Sequence, residues 1–177
     1  MKFTPREMCF VGIFAALIAV GAQISFMLAG GVPLTFQSWG VVLAGLLLGK
    51  KNGAIAAVVY VLLGAAGMPV FANLSGGLGV IMRPAGGFLL SFPLLALFSG
   101  LGAERGGFFV FWGIAVGEAL NLFAGMLWFS WVTGFSLGGA FSSAVAPFIF
   151  LSVARVFLMP LLGRSIKIAL VKAKVAI

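Results

Sequence analysis

Apolar residues follow one another in long runs, broken only by short charged or glycine-rich stretches. Marking these runs between charges and turn residues predicts six spans, at about 8–29, 37–49, 53–69, 86–103, 107–132 and 149–171. A bilayer core of about 30 Å takes about 20 residues of helix. The second, third and fourth spans fall short, so they need extended ends, a locally thinner bilayer or cover from loops. The first run follows a charged start, is longer than the core of a signal peptide and is succeeded by further spans, so it is read as a retained helix. The expected fold is all-α and integral to a membrane: six transmembrane helices forming one domain over residues 1–177.

Composition supports lipid as the solvent. With 63% hydrophobic and 8% charged residues, the chain has too few charges to cover a core in water. The basic residues fall at the ends of the runs: Lys2 and Arg6 before the first, Lys50 and Lys51 after the second, Arg105 after the fourth, and Lys167, Lys172 and Lys174 at the close. Six crossings put all of these on one face, and the positive-inside rule makes that face, with both termini, cytoplasmic. The expected location is the cytoplasmic membrane. The same rule accounts for the formal charge of +8 without nucleic acid, for which no basic amphipathic face or aromatic-interleaved patch is present.

Catalysis is not expected. The single cysteine, Cys9, makes no internal disulfide, and a chain with no histidine and three acidic residues offers no metal site. There is no phosphate-binding Walker sequence, no nucleophile elbow and no acidic pair placed for acid–base work, so neither an enzyme nor a cofactor is predicted.

On the opposite face lie loops near 30–36, 70–85 and 133–148, and their one formal charge is Arg83. A lone arginine in a glycine-rich loop is either an anchor to lipid phosphate or a carboxylate receptor, since guanidinium holds a carboxylate by two parallel hydrogen bonds. Inside the spans stand Glu118 and Arg155, which are expensive against lipid and are expected to face the bundle interior, as a packing ion pair or as ligand groups. Asn121, about one turn after Glu118, shares its face. Arg164 is close enough to the cytoplasmic end to snorkel and is given no binding role. In the first span Gly12, Ala15, Ala16, Ala19 and Ala22 make a small-residue stripe that lets a helix approach closely, from this chain or from a partner.

Several segments then resemble a known family. Gly31-Val-Pro-Leu-Thr-Phe-Gln37 is similar to a first external loop of the form Pro-x-Thr-x-Gln. Ala44-Gly-Leu-Leu-Leu-Gly49, Tyr60-Val-Leu-Leu-Gly-Ala-Ala-Gly-Met-Pro-Val-Phe-Ala72, Gly76-Gly-Leu-Gly79 and Pro84-Ala-Gly-Gly-Phe88 follow in the order and spacing of the BioY family, the biotin-specific S-components of energy-coupling-factor (ECF) transporters. The resemblance runs from about residue 10 to 105 and is looser beyond. It implies a six-helix protein that captures biotin from outside and docks on a transmembrane coupling subunit energised by two cytoplasmic ATPases, so that ATP is used by separate partners. It also implies that the small-residue face, Gly12, Ala15, Ala16 and Ala19, meets the coupling subunit.

Two stretches depart from the family pattern. Arg83-Pro-Ala-Gly-Gly-Phe88 stands where Gly-Pro-Thr-Gly-Gly-Tyr is usual, which adds a charge at the rim of the expected site. Pro147-Phe-Ile-Phe-Leu-Ser-Val-Ala-Arg155 stands where the pattern resembles Pro-Phe-x-Pro-Gly-Asp-x-x-Lys, so Ser152 replaces an aspartate and Arg155 a lysine. The site expected from these residues gives the biotin carboxylate to Arg83 or Arg155 and the ureido ring to Asn73, Ser152 and Gln37. Tyr60 and Phe71 form walls, Glu118 and Asn121 lie in the polar patch, and loop 70–84 closes as a lid. Loss of the aspartate leaves lipoate or another acyl-chain carboxylate as a second ligand class. A membrane scaffold subunit with no small ligand is the alternative of a different kind.

Overall fold

The computed structural model describes residues 4–27 and 32–173. Helix α1, Pro5–Gln23, begins on a capping box. Thr4 Oγ1 accepts from the Glu7 amide at 3.2 Å and Glu7 Oε2 accepts from the Thr4 amide at 2.9 Å, which satisfies two donors that a helix start leaves open. Pro5 at the first helical position removes a donor that has no intrahelical partner anyway.

The predicted first span to residue 29 is corrected. α1 stops at Gln23, and Ser25–Met27 forms a short strand β1 paired antiparallel with β2, Pro33–Thr35. Residues 28–31 lie outside the described residues. An apolar run of a few residues reads the same as strand or helix, which is why the boundary was not visible in hydropathy.

Helix α2, Gln37–Ala65, is one element only nominally. At Gly49 the backbone leaves helical geometry, with φ 79° and ψ 175°, a conformation that glycine adopts without steric cost. The chain folds back there. A β-carbon added at Gly53 would lie 2.7 Å from Gly45 Cα, whereas a continuous helix separates those positions by about 12 Å. Tyr60 Oη reaches Gln37 Oε1 at 3.1 Å, a pair that a continuous helix would hold about 35 Å apart. Residues 37–48 and 50–65 therefore form an antiparallel helical hairpin. Gly53→Leu forces backbone against backbone at its crossing, and we expect little folded protein on gel filtration, while Gly67→Ala, at an open position, marks the cost of a strained φ alone.

The remaining helices are α3, Leu78–Ile81, α4, Gly86–Arg105, α5, Phe109–Thr133, α6, Leu137–Ala144, and α7, Ala146–Lys172. α4 packs between α2 and α5, α1 lies on α2, and α7 leans on α5 and α2. Ile18, Val41, Leu95, Ile114 and Met159 meet in the interior. Large apolar side chains also stand outside, Phe150 at 79% and Trp131 at 72% exposure, as lipid contact requires and water disfavours. Among the described residues five helices, α1, α2, α4, α5 and α7, are long and apolar enough to cross a membrane.

Among the described residues Lys50, Arg105, Arg164 and Lys167 collect at one end, whereas Arg83 and Arg155 lie away from it, and Lys2 and Lys174 lie outside the described residues. Asn52 Nδ2 donates to Glu7 Oε1 at 3.2 Å, and Lys50 Nζ lies 2.9 Å from Glu104 Oε2, which joins the start of α1, the bend of α2 and the end of α4. Arg164 and Lys167 of α7 share a cavity with Leu46 and Ala103 at that same end. The opposite end holds the β1–β2 hairpin, a 3-10 turn at Ala72–Leu74, α3 and α6. Two of the stretches expected as loops, 70–85 and 133–148, thus contain short helices.

Candidate functional site

At the end away from Lys50, Arg164 and Lys167 the hairpin, the 3-10 turn and helices α2, α4, α5 and α7 surround a cavity of about 150 Å³. On the same measure one water needs about 10–15 Å³, so the space suits a small molecule and not a single trapped water. Phe71, Phe88, Leu89, Phe92 and Phe148 make its walls apolar.

The polar floor is built by helix-to-helix bonds. Arg155 of α7 and Glu118 of α5 are both nearly inaccessible, at 3% exposure. Arg155 Nε donates to Glu118 Oε1 at 2.6 Å and Nη2 to Oε2 at 2.8 Å, a two-pronged pair that matches guanidinium to carboxylate. Ser152, one turn before Arg155, donates to Glu118 Oε2 at 2.8 Å and accepts from Arg155 Nη2 at 2.9 Å. Asn121 Nδ2 donates to the Phe88 carbonyl at 2.9 Å and to Ser91 Oγ at 2.8 Å. Since the Phe88 carbonyl only accepts, it fixes the amide with Oδ1 turned away from α4.

These bonds leave atoms free. Arg155 Nη1, Asn121 Oδ1 and Gln37 Nε2 have no protein partner among the described residues, and all three side chains line the cavity. The one fully enclosed side-chain polar atom without a partner among the described residues is Asn52 Oδ1, at the other end. The three free atoms therefore open on the cavity: two donors and one acceptor at the bottom of an apolar well.

The rim is held by a residue that sequence reasoning missed. Gln23, the last residue of α1, donates from Nε2 to the Phe71 carbonyl at 3.2 Å and accepts at Oε1 from the Leu74 amide at 3.0 Å. Ser25 Oγ donates to Asn73 Oδ1 at 2.9 Å. Between these bonds Asn73 and Leu74 take left-handed φ values of 57° and 52°, uncommon for leucine above all, so the turn is kept in shape by its surroundings. A glutamine at the end of an apolar run gives no signal that it clasps a loop many residues away. Trp128 Nε1 donates to the Arg83 carbonyl at 3.1 Å, and the Arg83 side chain stands exposed at the mouth without a protein partner among the described residues.

Six of the residues expected at the site line this one cavity: Gln37, Phe71, Asn73, Arg83, Asn121 and Arg155. Tyr60, Ser152 and Glu118 lie one layer behind. Tyr60 packs edge-on to Phe71 and bonds Gln37, while Ser152 and Glu118 hold Arg155. The small-residue stripe divides between faces: Ala15 is buried within the chain, Ala19 half-buried, and Gly12 and Ala16 exposed. Among the described residues no three metal-ligating side chains come together.

The sequence model of the BioY family matches residues 1–172. The chain belongs to the BioY family. A protein of Pyrococcus horikoshii named Probable biotin transporter BioY is 40% identical over 144 residues, which cover 81% of this chain and 85% of that one. The Biotin transporter BioY of Thermotoga maritima is 50% identical over 114 residues, 64% of this chain and 66% of the relative. The crystal structure of the S-component for biotin from an ECF-type ABC transporter superposes with a TM-score of 0.80 at 21% identity, over 94% of this chain and 95% of that one, which shows a shared fold. This BioY chain is thus a multi-pass membrane protein of a transporter family, not an enzyme family. In it the carboxylate that meets the α7 cation comes from α5, as Glu118, and Ser152 bonds that carboxylate from the position where the family pattern resembles an aspartate.

Proposed function

We propose that this protein is the substrate-binding S-component of an ECF transporter and captures biotin on the outer face of the cytoplasmic membrane. Counting the α2 hairpin as two crossings gives six spans in one domain over residues 1–177, with both termini and the basic end in the cytoplasm. A transmembrane coupling subunit and two separate ATPases supply the energy, and this chain needs no cofactor of its own. The α1 face open to the coupling subunit is Gly12 and Ala16 with the flank of Ala19, since Ala15 is used inside the chain.

The observation that carries the reading is the free donor and acceptor on the cavity floor below a cation at the mouth. Biotin has a cyclic urea at one end, whose carbonyl accepts and whose N–H groups donate, and a carboxylate on a flexible chain at the other. Arg155 Nη1 is placed to donate to the urea carbonyl and Asn121 Oδ1 to accept from an N–H. Gln37 Nε2 adds a donor nearby. Glu118 already occupies the two-pronged edge of Arg155, which leaves Arg83 as the receptor for the carboxylate. Asn73 borders the mouth, Phe71 and its neighbours enclose the ring, and the Gln23-clasped turn covers it.

Lipoate has the chain and carboxylate but no urea, so it leaves the floor atoms unpaired. Isothermal titration of the purified full chain tests this. Biotin is expected to bind saturably at one site and lipoate at least about 100-fold more weakly. Arg83→Ala should weaken biotin by about 10- to 100-fold, as loss of a charge-assisted bond of about 1.5–3 kcal/mol implies, without lowering the melting temperature. No heat from folded protein, or equal binding of lipoate, overturns the proposal.

A further inference from the structure

A second cavity, of about 350 Å³, lies at the basic end between α7, the α4–α5 turn and the first half of α2. Transport of biotin as proposed above does not use it. Leu46, Val110, Phe111 and Leu161 give it apolar walls, and Arg164 and Lys167, three residues apart and so on one face of α7, stand at its edge.

Among the described residues these two cations have no counter-charge. The chain has three acidic residues. Glu7 is bound to Thr4 and Asn52, Glu104 to Lys50, and Glu118 to Arg155. Among the described residues neither Arg164 nor Lys167 makes an ion pair or hydrogen bond. Both side chains are exposed at the cavity edge and open to an anion from outside the chain. The depth of the site in the membrane is marked by Phe108, Phe109 and Trp112, exposed at the start of α5 beside the cavity-lining Gly107, Val110 and Phe111. Of these, tryptophan is the side chain that collects at the headgroup level, so Trp112 puts the cavity mouth there, with the apolar walls toward the acyl region.

We propose that this cavity is a site for one anionic phospholipid, with the phosphate on Arg164 and Lys167 and part of an acyl chain against Leu46, Val110, Phe111 and Leu161. A zwitterionic lipid brings its own ammonium and does not neutralise the pair. A free phosphate leaves the apolar walls empty. The occupant is a lipid and not a protein segment because the unpaired charge sits at headgroup depth, where cytoplasmic-leaflet anions are concentrated.

Native mass spectrometry of the full chain, extracted from vesicles of equal phosphatidylglycerol and phosphatidylcholine, tests the site. The parent should retain one phosphatidylglycerol in at least tenfold excess over phosphatidylcholine. R164Q/K167Q should lose that excess while titrating biotin as the parent does, and Arg164→Lys with Lys167→Arg should keep it. Equal retention of both lipids by the parent, unchanged phosphatidylglycerol retention in R164Q/K167Q, or displacement of the lipid by millimolar inorganic phosphate overturns the proposal. So does a R164Q/K167Q protein that keeps its lipid but loses a co-purifying membrane partner, since the cavity then belongs to that partner. Biotin titration is read separately, so failure here leaves the transport reading standing.

Discussion

Glu118→Ala is expected to lower the melting temperature of the purified protein by on the order of 10 °C and to abolish measurable biotin binding. Removing one partner of a buried ion pair costs about 3–5 kcal/mol because the other charge stays buried without compensation. For a chain of this size each kcal/mol corresponds to about 2–4 °C. Here the stranded group is Arg155, which also loses the bonds that aim its third nitrogen at the cavity. The pair joins α5 to α7 across the floor, so stability and ligand geometry fall together. Replacing both, as Glu118→Leu with Arg155→Met, should recover most of the melting temperature, since a buried ion pair and an apolar pair of similar volume differ little. That double variant should still bind no biotin. Thermal melts and titrations on the same samples separate the two effects. A Glu118→Ala protein as stable as its parent would mean that the pair does not join the helices as described.

Asn121→Leu should leave the protein folded and weaken biotin by about 100-fold. It removes the Asn121 Oδ1 acceptor, so the N–H of the urea that would meet it is left buried and unpaired, at a cost of about 1–3 kcal/mol. The tie from Asn121 to the Phe88 carbonyl is lost as well, but that carbonyl keeps Ser91 Oγ at 3.2 Å, so the melting temperature should fall by only a few degrees. Asn121→Asp makes the opposite disturbance: it keeps an acceptor toward the cavity but sets a carboxylate oxygen against the Phe88 carbonyl, and its stability should drop more than that of Asn121→Leu. Parallel titration and melting of the two variants read this ordering, and unchanged biotin affinity in Asn121→Leu would exclude Asn121 from the site.

How far these features were legible in the sequence depends on what kind of physics places them. α4, α5 and α7 were readable because glycine and charge mark their ends: Arg105 and Gly106 close α4, and Gly134 closes α5. The α2 bend was readable for the same reason, at Gly49-Lys50-Lys51. The end of α1 was not, because the apolar run continues past Gln23 and only pairing with Pro33–Thr35 makes it a strand. α6 was hidden in a glycine- and serine-rich stretch, although Ser136, whose side chain accepts from the Gly139 amide, is an N-cap that sequence displays.

The same division holds at the cavity. Two ionisable residues in apolar runs can be expected to meet, since lipid tolerates neither alone, and Glu118 and Arg155 do meet. The layering could not be expected: that Gln37 and Asn121 reach the cavity while Tyr60 and Ser152 stand behind it depends on helix rotation, which hydropathy does not set. The Gln23 clasp and the Arg164–Lys167 cavity need three or more elements brought together, and no single stretch of sequence encodes them.

The proposed biotin site opens outward, at the end of the bundle opposite Lys50, Arg164 and Lys167. Cys9 is the chain's single cysteine and is exposed, so Cys9→Ser gives a background free of thiols. Ala72→Cys in that background puts one thiol in the lining of the cavity. In intact cells this thiol should react with a membrane-impermeant maleimide added outside, and biotin should slow the reaction in proportion to site occupancy. Labelling only after the inner face is exposed, or a rate that saturating biotin leaves unchanged in folded protein, would contradict it.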